Sequence, residues 1–316
     1  MTELEIILYL VGGLIMLFIG AEGLIRGSST LAIKIGITPL IVGLTVVAFG
    51  TSAPELVVSL KAALVGNSSI SLGNVIGSNI ANIALILGIA SLIRPLYVHA
   101  NIIMREIPIM IGVSILLIVL LLDGEVGFID GLIFVLGIII YTIVNIYMAR
   151  KEKSSEVKEE FEEGLKSRLG VPVSIIFVVI GLGLLIIGAN VFVQSAVAIA
   201  KLFNISDAII GLTIVAIGTS LPELITSIVA SYKKESDIAI GNVVGSNIFN
   251  ILGILGITAL IVPISLIGIS SIDLIIMVLT AVLLLPLSKS GMRISRIEGL
   301  FLVAGYVAYT YYLIPK

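Results

Sequence analysis

The sequence predicts an all-α membrane protein of ten transmembrane helices, arranged as two inverted five-helix repeats. Three observations lead there. The composition is too apolar for water, the apolar stretches have spanning length, and the chain resembles itself at a fixed offset of 168 residues.

Hydrophobic residues make up 59% of the chain and charged residues 12%. A soluble domain carries about 25% charged residues, so this chain cannot cover a core with polar surface and lipid must be its solvent. With a net charge of −2, no global basic or acidic balance points to nucleic acid. The absence of cysteine excludes disulfides and thiolate metal sites. His99 is the single histidine, which leaves no histidine cluster for zinc. Glu3 and Glu5 precede the first basic residue, Arg26. That is the wrong charge for a signal peptide, so the first apolar run is expected to stay as a membrane helix.

A spanning helix needs about 20 apolar residues. The spans are expected near 4–25, 38–64, 70–93, 102–122, 127–149, 171–199, 206–231, 238–262, 268–288 and 294–314. The first repeat is residues 1–149, the second 171–316, and the mixed-charge stretch 150–170 links them as a solvated, partly helical segment. With the N-terminus outside, 15 Lys and Arg fall on the inner side and three, Lys61, Lys201 and Lys316, on the outer. The positive-inside rule therefore predicts both termini extracellular and the linker cytoplasmic in the cell membrane.

The repeat is direct. VGLTVVAFGTSAPELVVSL (42–60) aligns with IGLTIVAIGTSLPELITSI (210–228), and LGNVIGSNIANI (72–83) with IGNVVGSNIFNI (240–251). Gly20 with Gly188, Pro95 with Pro263 and Asp130 with Glu298 keep the same offset. Five spans per unit is odd, so the second unit enters the bilayer from the opposite side. Inverted repeats of this kind are the plan of secondary transporters, with the site at the midplane between the halves.

Glu55 and Glu223 carry the chemistry. They are equivalent under the repeat and lie mid-span, where a carboxylate costs about 2.5–3.5 kcal/mol. No basic residue lies mid-span to pair with them, so the two are expected to converge on a cation. Pro54 and Pro222 lack an N–H and clash with the carbonyls of Gly50 and Gly218, which should break each helix and leave carbonyls for a cation. Asn74, Ser78 and Asn82 fall at i, i+4 and i+8 on one helix face, and Asn242, Ser246 and Asn250 repeat them. Ser78, Asn82, Ser246 and Asn250 are assigned to ligation. Gly73, Gly77, Gly241 and Gly245 are assigned to helix packing. The donor set is all oxygen, which suits a hard cation: Ca²⁺ takes 6–8 oxygens. Two carboxylates hold either one Ca²⁺ or a few Na⁺, and that competition is the basis for exchange.

GTSAPE with GNVIGSNIAN, and GTSLPE with GNVVGSNIFN, resemble the two alpha-repeats of the sodium/calcium exchanger family, within the cation/calcium antiporter superfamily. The resemblance spans essentially the whole chain and implies the sodium/calcium exchanger fold of a prokaryotic member. It implies an electrogenic antiporter moving about three Na⁺ against one Ca²⁺ by alternating access, with no cofactor and as a monomer. By that likeness Glu55 and Glu223 bind Ca²⁺ together with the backbone carbonyls of Thr51 and Thr219. The Na⁺ sites would use the Ala48 carbonyl, Ser52, Ser78 and Asn82, with the Ala216 carbonyl, Ser220, Ser246 and Asn250. The spans at 4–25 and 171–199 match the family's mobile helices. Asn250 departs from potassium-dependent members, which usually carry Asp there; it argues against potassium coupling and removes a possible proton-binding carboxylate. The linker, about twenty residues long, leaves no room for the regulatory domain of animal exchangers.

Other readings of the same residues stay open. Paired buried carboxylates can share a proton, so a proton-coupled antiporter of Ca²⁺ or another divalent ion is the alternative. A channel would use the same cation site without coupling. An intramembrane serine hydrolase at Ser52 or Ser220 lacks a base, because His99 is expected in a loop. Asp130 and Glu298 are expected to complement helix starts, Glu22 and Arg26 to pair at i, i+4, Lys233 and Lys234 to set topology, and Asp207 to open a helix.

Overall fold

A computed structural model describes residues 3–35, 38–151, 170–202 and 216–313. The chain is a multi-pass helical membrane protein. In order, the helices are α1 (Glu3–Ile35), α2 (Pro39–Thr51), α3 (Ala53–Leu64), α4 (Ser68–Ile93), α5 (Ile102–Asp123), α6 (Phe128–Lys151), α7 (Val171–Leu202), α8 (Ala216–Thr219), α9 (Leu221–Tyr232), α10 (Ser236–Ile261), α11 (Ser271–Lys289) and α12 (Arg296–Leu313). Among the described residues, seven helices are long and apolar enough to cross a bilayer, and the bent pair α2–α3 makes an eighth. The two other expected spans correspond to α8–α9 and α12. The first part of the span expected at 206–231, with the helix start expected at Asp207, lies outside the described residues, as does most of the 150–170 linker.

Elements recur at the sequence offset. α3 and α9 start and stop 168 residues apart, and so do α4 and α10. Two small antiparallel sheets follow the same rule. β1 (Leu96–Tyr97) pairs with β4 (Arg293–Ile294), and β2 (Glu125–Val126) pairs with β3 (Ile264–Ser265). Leu96 lies opposite Ile294, and their equivalents Ile264 and Val126 lie opposite one another. Each sheet thus joins a strand from one half to a strand from the other.

Burial separates a centre from a shell. Buried residues make up 72% of the apolar stretch of α4 and 83% of that of α10, against 28% for α1 and α7. α4 and α10 cross at the centre, where Val75, Ile76, Ile80, Val243, Val244 and Ile248 form one core. Gly241 and Gly245 let α10 approach α2, since a Cβ on Gly245 would lie 2.6 Å from the Leu44 carbonyl oxygen. The stretch that would stand against Gly77 in the same way, near residue 212, lies outside the described residues.

α1 and α7 pack on one another along their length. A Cβ on Gly20 would lie 2.8 Å from the Gly181 carbonyl oxygen, so only glycine allows these backbones to meet. The pair is set unequally against the rest: α1 packs along α9, whereas α7 makes almost no contact with α3 among the described residues. Helix ends follow the expected chemistry. Asp130 Oδ2 accepts from Gly127 N at 2.8 Å, and Glu298 Oε2 accepts from Ser295 N at 2.7 Å. Each carboxylate thereby satisfies an N–H that the first turn leaves free.

Candidate cation site

The site is built on two broken helices. α2 stops at Thr51 and α3 starts at Ala53, with a 44° bend between them. Pro54 occupies the first turn of α3, where a missing N–H costs nothing. Ser52 takes up the corner at φ −82°, ψ 7°. Pro222 and Ser220 repeat the arrangement, with Ser220 at φ −88°, ψ 8°. Glu55 and Glu223 therefore stand in the first turns of α3 and α9, beside the carbonyl ends of α2 and α8. A helix start favours the anionic side chain and a helix end favours a cation.

The glutamates are each 1% exposed, and each is held by the other half. Ser52 Oγ donates to Glu223 Oε1 at 2.8 Å, and Ser220 Oγ donates to Glu55 Oε1 at 3.0 Å. Ser52 Oγ lies 3.0 Å from Ser246 Oγ, and Ser220 Oγ lies 3.3 Å from Ser78 Oγ. Thr51 Oγ1 lies 3.0 Å from the Val47 carbonyl and 3.1 Å from Asn242 Oδ1 of the other half. Asn74 Nδ2 donates to the Glu55 carbonyl at 3.2 Å, and Asn242 Nδ2 to the Glu223 carbonyl at 3.4 Å, so each amide steadies the backbone behind its glutamate.

Among the candidate ligands, four buried oxygens are left over. Glu55 Oε2, Glu223 Oε2, Asn82 Oδ1 and Asn250 Oδ1 have no hydrogen-bond partner. An unpartnered buried acceptor costs about 1–3 kcal/mol, and more when it is charged, and these four fall in two pairs equivalent under the repeat. Each is an atom type that can ligate a cation. No group of three or more His, Cys, Asp or Glu exists among the described residues. The set is two carboxylates with neutral oxygens, which fits a hard cation and not a softer transition metal.

The structure thus gathers Ser52, Glu223 and Ser246 into one hydrogen-bonded cluster and Ser220, Glu55 and Ser78 into a second, each joining both halves, with Thr51 and Thr219 at the ends of α2 and α8. Ala48 and Ala216 contribute backbone only. The Ala48 carbonyl accepts from Ser52 N at 3.0 Å, and Ala216 opens α8. Asn82 and Asn250 form a separate cluster with two residues that lie off the Asn74 helix face, Asn79 and Asn247. Asn82 Nδ2 donates to Asn247 Oδ1 and Asn250 Nδ2 to Asn79 Oδ1, each at 3.0 Å. Their 168-residue spacing was the available signal. Counting a regular helix face from Asn74 leaves them off that face, and α4 and α10 instead pass into π-helical turns at Asn82–Leu87 and Asn250–Leu255.

A third buried carboxylate stands apart. Glu106, at the start of α5, is fully buried, bonded to Arg105 at 2.6 Å and to Tyr141 Oη at 2.7 Å. Its equivalent position is Leu274, so the repeat does not mark it. Both its oxygens are occupied, and it joins α5 to α6 instead of presenting a free ligand.

The sodium/calcium exchanger protein family matches residues 5–147 and again 173–314, two segments whose starts lie 168 residues apart. The chain belongs to the sodium/calcium exchanger family. A putative antiporter, CaxA of Alkalimonas amylolytica, is 37% identical over 311 residues, covering 97% of this chain and 98% of its own. The sodium/calcium exchanger MaX1 of Methanosarcina acetivorans is 33% identical, with 96% of both chains covered. A structure of the sodium–calcium exchanger NCX_Mj superposes with a TM-score of 0.86 at 32% identity over 100% of both chains. A family of membrane antiporters for cations and Ca²⁺ thus accounts for the helices and for the oxygen-lined centre alike.

Proposed function

We propose that the protein is a secondary antiporter that exchanges Na⁺ for Ca²⁺ across the cell membrane by alternating access. The observation that carries this reading is the set of four unpartnered buried oxygens on Glu55, Glu223, Asn82 and Asn250, in a chain of the sodium/calcium exchanger family. Glu55 and Glu223 bind Ca²⁺ with the carbonyls of Thr51 and Thr219. Ser52, Ser78, Asn82 and the Ala48 carbonyl, with Ser220, Ser246, Asn250 and the Ala216 carbonyl, bind Na⁺. Two carboxylates balance one Ca²⁺, and Na⁺ entering shared ligands displaces it. Exchange of three Na⁺ for one Ca²⁺ moves one net charge and makes the cycle electrogenic.

The architecture that goes with this function is ten spans in two inverted units, residues 1–149 and 171–316. The equal spacing of α3 and α9 and of α4 and α10 supports it, as does the pairing of each small sheet across the halves. Both termini are extracellular and the linker cytoplasmic.

The test is a flux assay. Vesicles loaded with Na⁺ are expected to take up labelled Ca²⁺ on dilution into Na⁺-free buffer, faster when the membrane potential favours exit of positive charge. The burial of two carboxylates, each bonded to a serine of the opposite half, also favours a second reading, a proton-coupled Ca²⁺ antiporter. Uptake that follows a pH gradient and ignores the Na⁺ gradient would select it.

A further inference from the structure

We infer that Asn79 and Asn247 are positioning residues that hold the amides of Asn250 and Asn82 with their oxygens, and not their NH₂ groups, turned to the cation site. The inference rests on the cation-site reading above and concerns residues that make none of its proposed ion contacts.

An asparagine amide has nearly the same shape with O and N exchanged, so packing alone does not choose between the two orientations; hydrogen-bond partners do. For a cation ligand the choice decides everything, since a flipped amide presents two positively polarised hydrogens to the ion. Here the choice traces back to atoms that cannot flip. The Asn247 backbone carbonyl accepts from Asn79 Nδ2 at 3.3 Å, and the Asn79 backbone carbonyl accepts from Asn247 Nδ2 at 3.3 Å. A carbonyl only accepts, so each amide must turn its NH₂ toward the opposing backbone, which sends its own oxygen the other way. Asn79 Oδ1 then accepts from Asn250 Nδ2, and Asn247 Oδ1 from Asn82 Nδ2, both at 3.0 Å. With their NH₂ groups used, Asn250 and Asn82 have their Oδ1 atoms left, and these are the buried oxygens without partners. All four side chains are at most 2% exposed, so no solvent competes for these bonds.

The clasp also crosses the halves, because each asparagine of α4 is oriented by α10 and the reverse. Removing the outer partner of a metal ligand typically weakens metal binding 10–100-fold. Asn79→Leu keeps the approximate volume and removes both bonds, leaving the Asn250 amide free to turn. A carboxylate needs no such orientation, since it offers oxygen whichever way it turns. The effect of Asn79→Leu is therefore expected to depend on residue 250.

The experiment measures the Na⁺ concentration that gives half the Na⁺-induced rise in melting temperature of the detergent-purified protein, with Ca²⁺ titrated in parallel. It uses four proteins: wild type, Asn79→Leu, Asn250→Asp and the double variant. Asn79→Leu is expected to raise the half-effective Na⁺ concentration roughly 10-fold or more. In the Asn250→Asp background the same change is expected to shift it less than about twofold. A merely structural role would lower the ion-free melting temperature equally in both backgrounds and leave the half-effective concentrations alone. If Asn79→Leu does not fold, Asn79→Ser, whose hydroxyl is too short for either bond, is taken through the same cycle. Equal shifts in both backgrounds, or no shift in a wild-type background that Na⁺ stabilises, overturn the clasp alone. A wild-type protein that neither Na⁺ nor Ca²⁺ stabilises strikes the cation-site reading and the clasp with it.

Discussion

Glu55 and Glu223 each spend one oxygen on a serine of the opposite half and keep the other without a partner. Replacing either by Gln keeps the shape and the oxygen that accepts from the serine but removes the charge. Glu55→Gln and Glu223→Gln are each expected to lower Na⁺-driven Ca²⁺ uptake at least about 100-fold, about 2.7 kcal/mol of lost ion stabilisation. The same substitutions are expected to raise the melting temperature in ion-free buffer, because a buried, unpaired charge is removed, and to abolish the rise that Ca²⁺ gives. A variant with normal uptake would remove that glutamate from the site. At this scale the sequence exposed what is expensive: a carboxylate or a proline in mid-membrane stands out, and the repeat doubled the signal. Asn79 and Asn247 were harder to see because a buried amide is cheap once paired, and because they lie five residues from Asn74 and Asn242, off the face those residues define.

Among the elements, the decisive asymmetry is that α1 packs along α9 while α7 makes almost no contact with α3 among the described residues. Near the end of α9, Lys233 pairs with Glu22 of α1, which also pairs with Arg26. The equivalent positions, Val65 and Asn190, carry no charge, so the repeat provides no matching ion pair on the other side. The pair favours the arrangement seen here over its mirror, in which α7 would pack along α3. A partly exposed ion pair contributes up to about 1 kcal/mol, which is about a fivefold bias. Glu22→Gln and Lys233→Gln are therefore both expected to shift apparent Ca²⁺ affinity in the same sense, weaker from one side of the membrane and stronger from the other, by up to about fivefold. Right-side-out and inside-out vesicles give the two affinities. The substitutions change net charge in opposite directions, so a general surface-charge effect would move them apart; opposite shifts would remove the pair from gating. The sequence offered Glu22–Arg26 as an i, i+4 pair and Lys233 as a topology signal. The Glu22–Lys233 contact spans 211 residues and depends on how α1 leans, which no local pattern records.

Over the whole molecule, a long repeat makes the architecture easier to read than the contacts. An offset of 168 residues relates the broken helices, the central helices and the strands, so one segment read correctly fixed its partner. The proposed inversion has a consequence that can be checked without any assay of transport. Lys and Arg divide 15 to 3 between the two predicted sides, and such a bias fixes orientation during insertion. The chain contains no cysteine, so a single introduced thiol reports its own location without background. Glu160→Cys in the linker is expected to resist a membrane-impermeant maleimide in intact cells and react after the membrane is opened. Lys316→Cys, at the end of the chain, is expected to react in intact cells. Labelling of both from outside would place an even number of spans between them, and the five-plus-five inversion would fall with that result. Labelling of Lys316→Cys alone leaves an odd number of spans in the second unit, which is the parity that turns one half upside down relative to the other and brings two equivalent glutamates to the same depth.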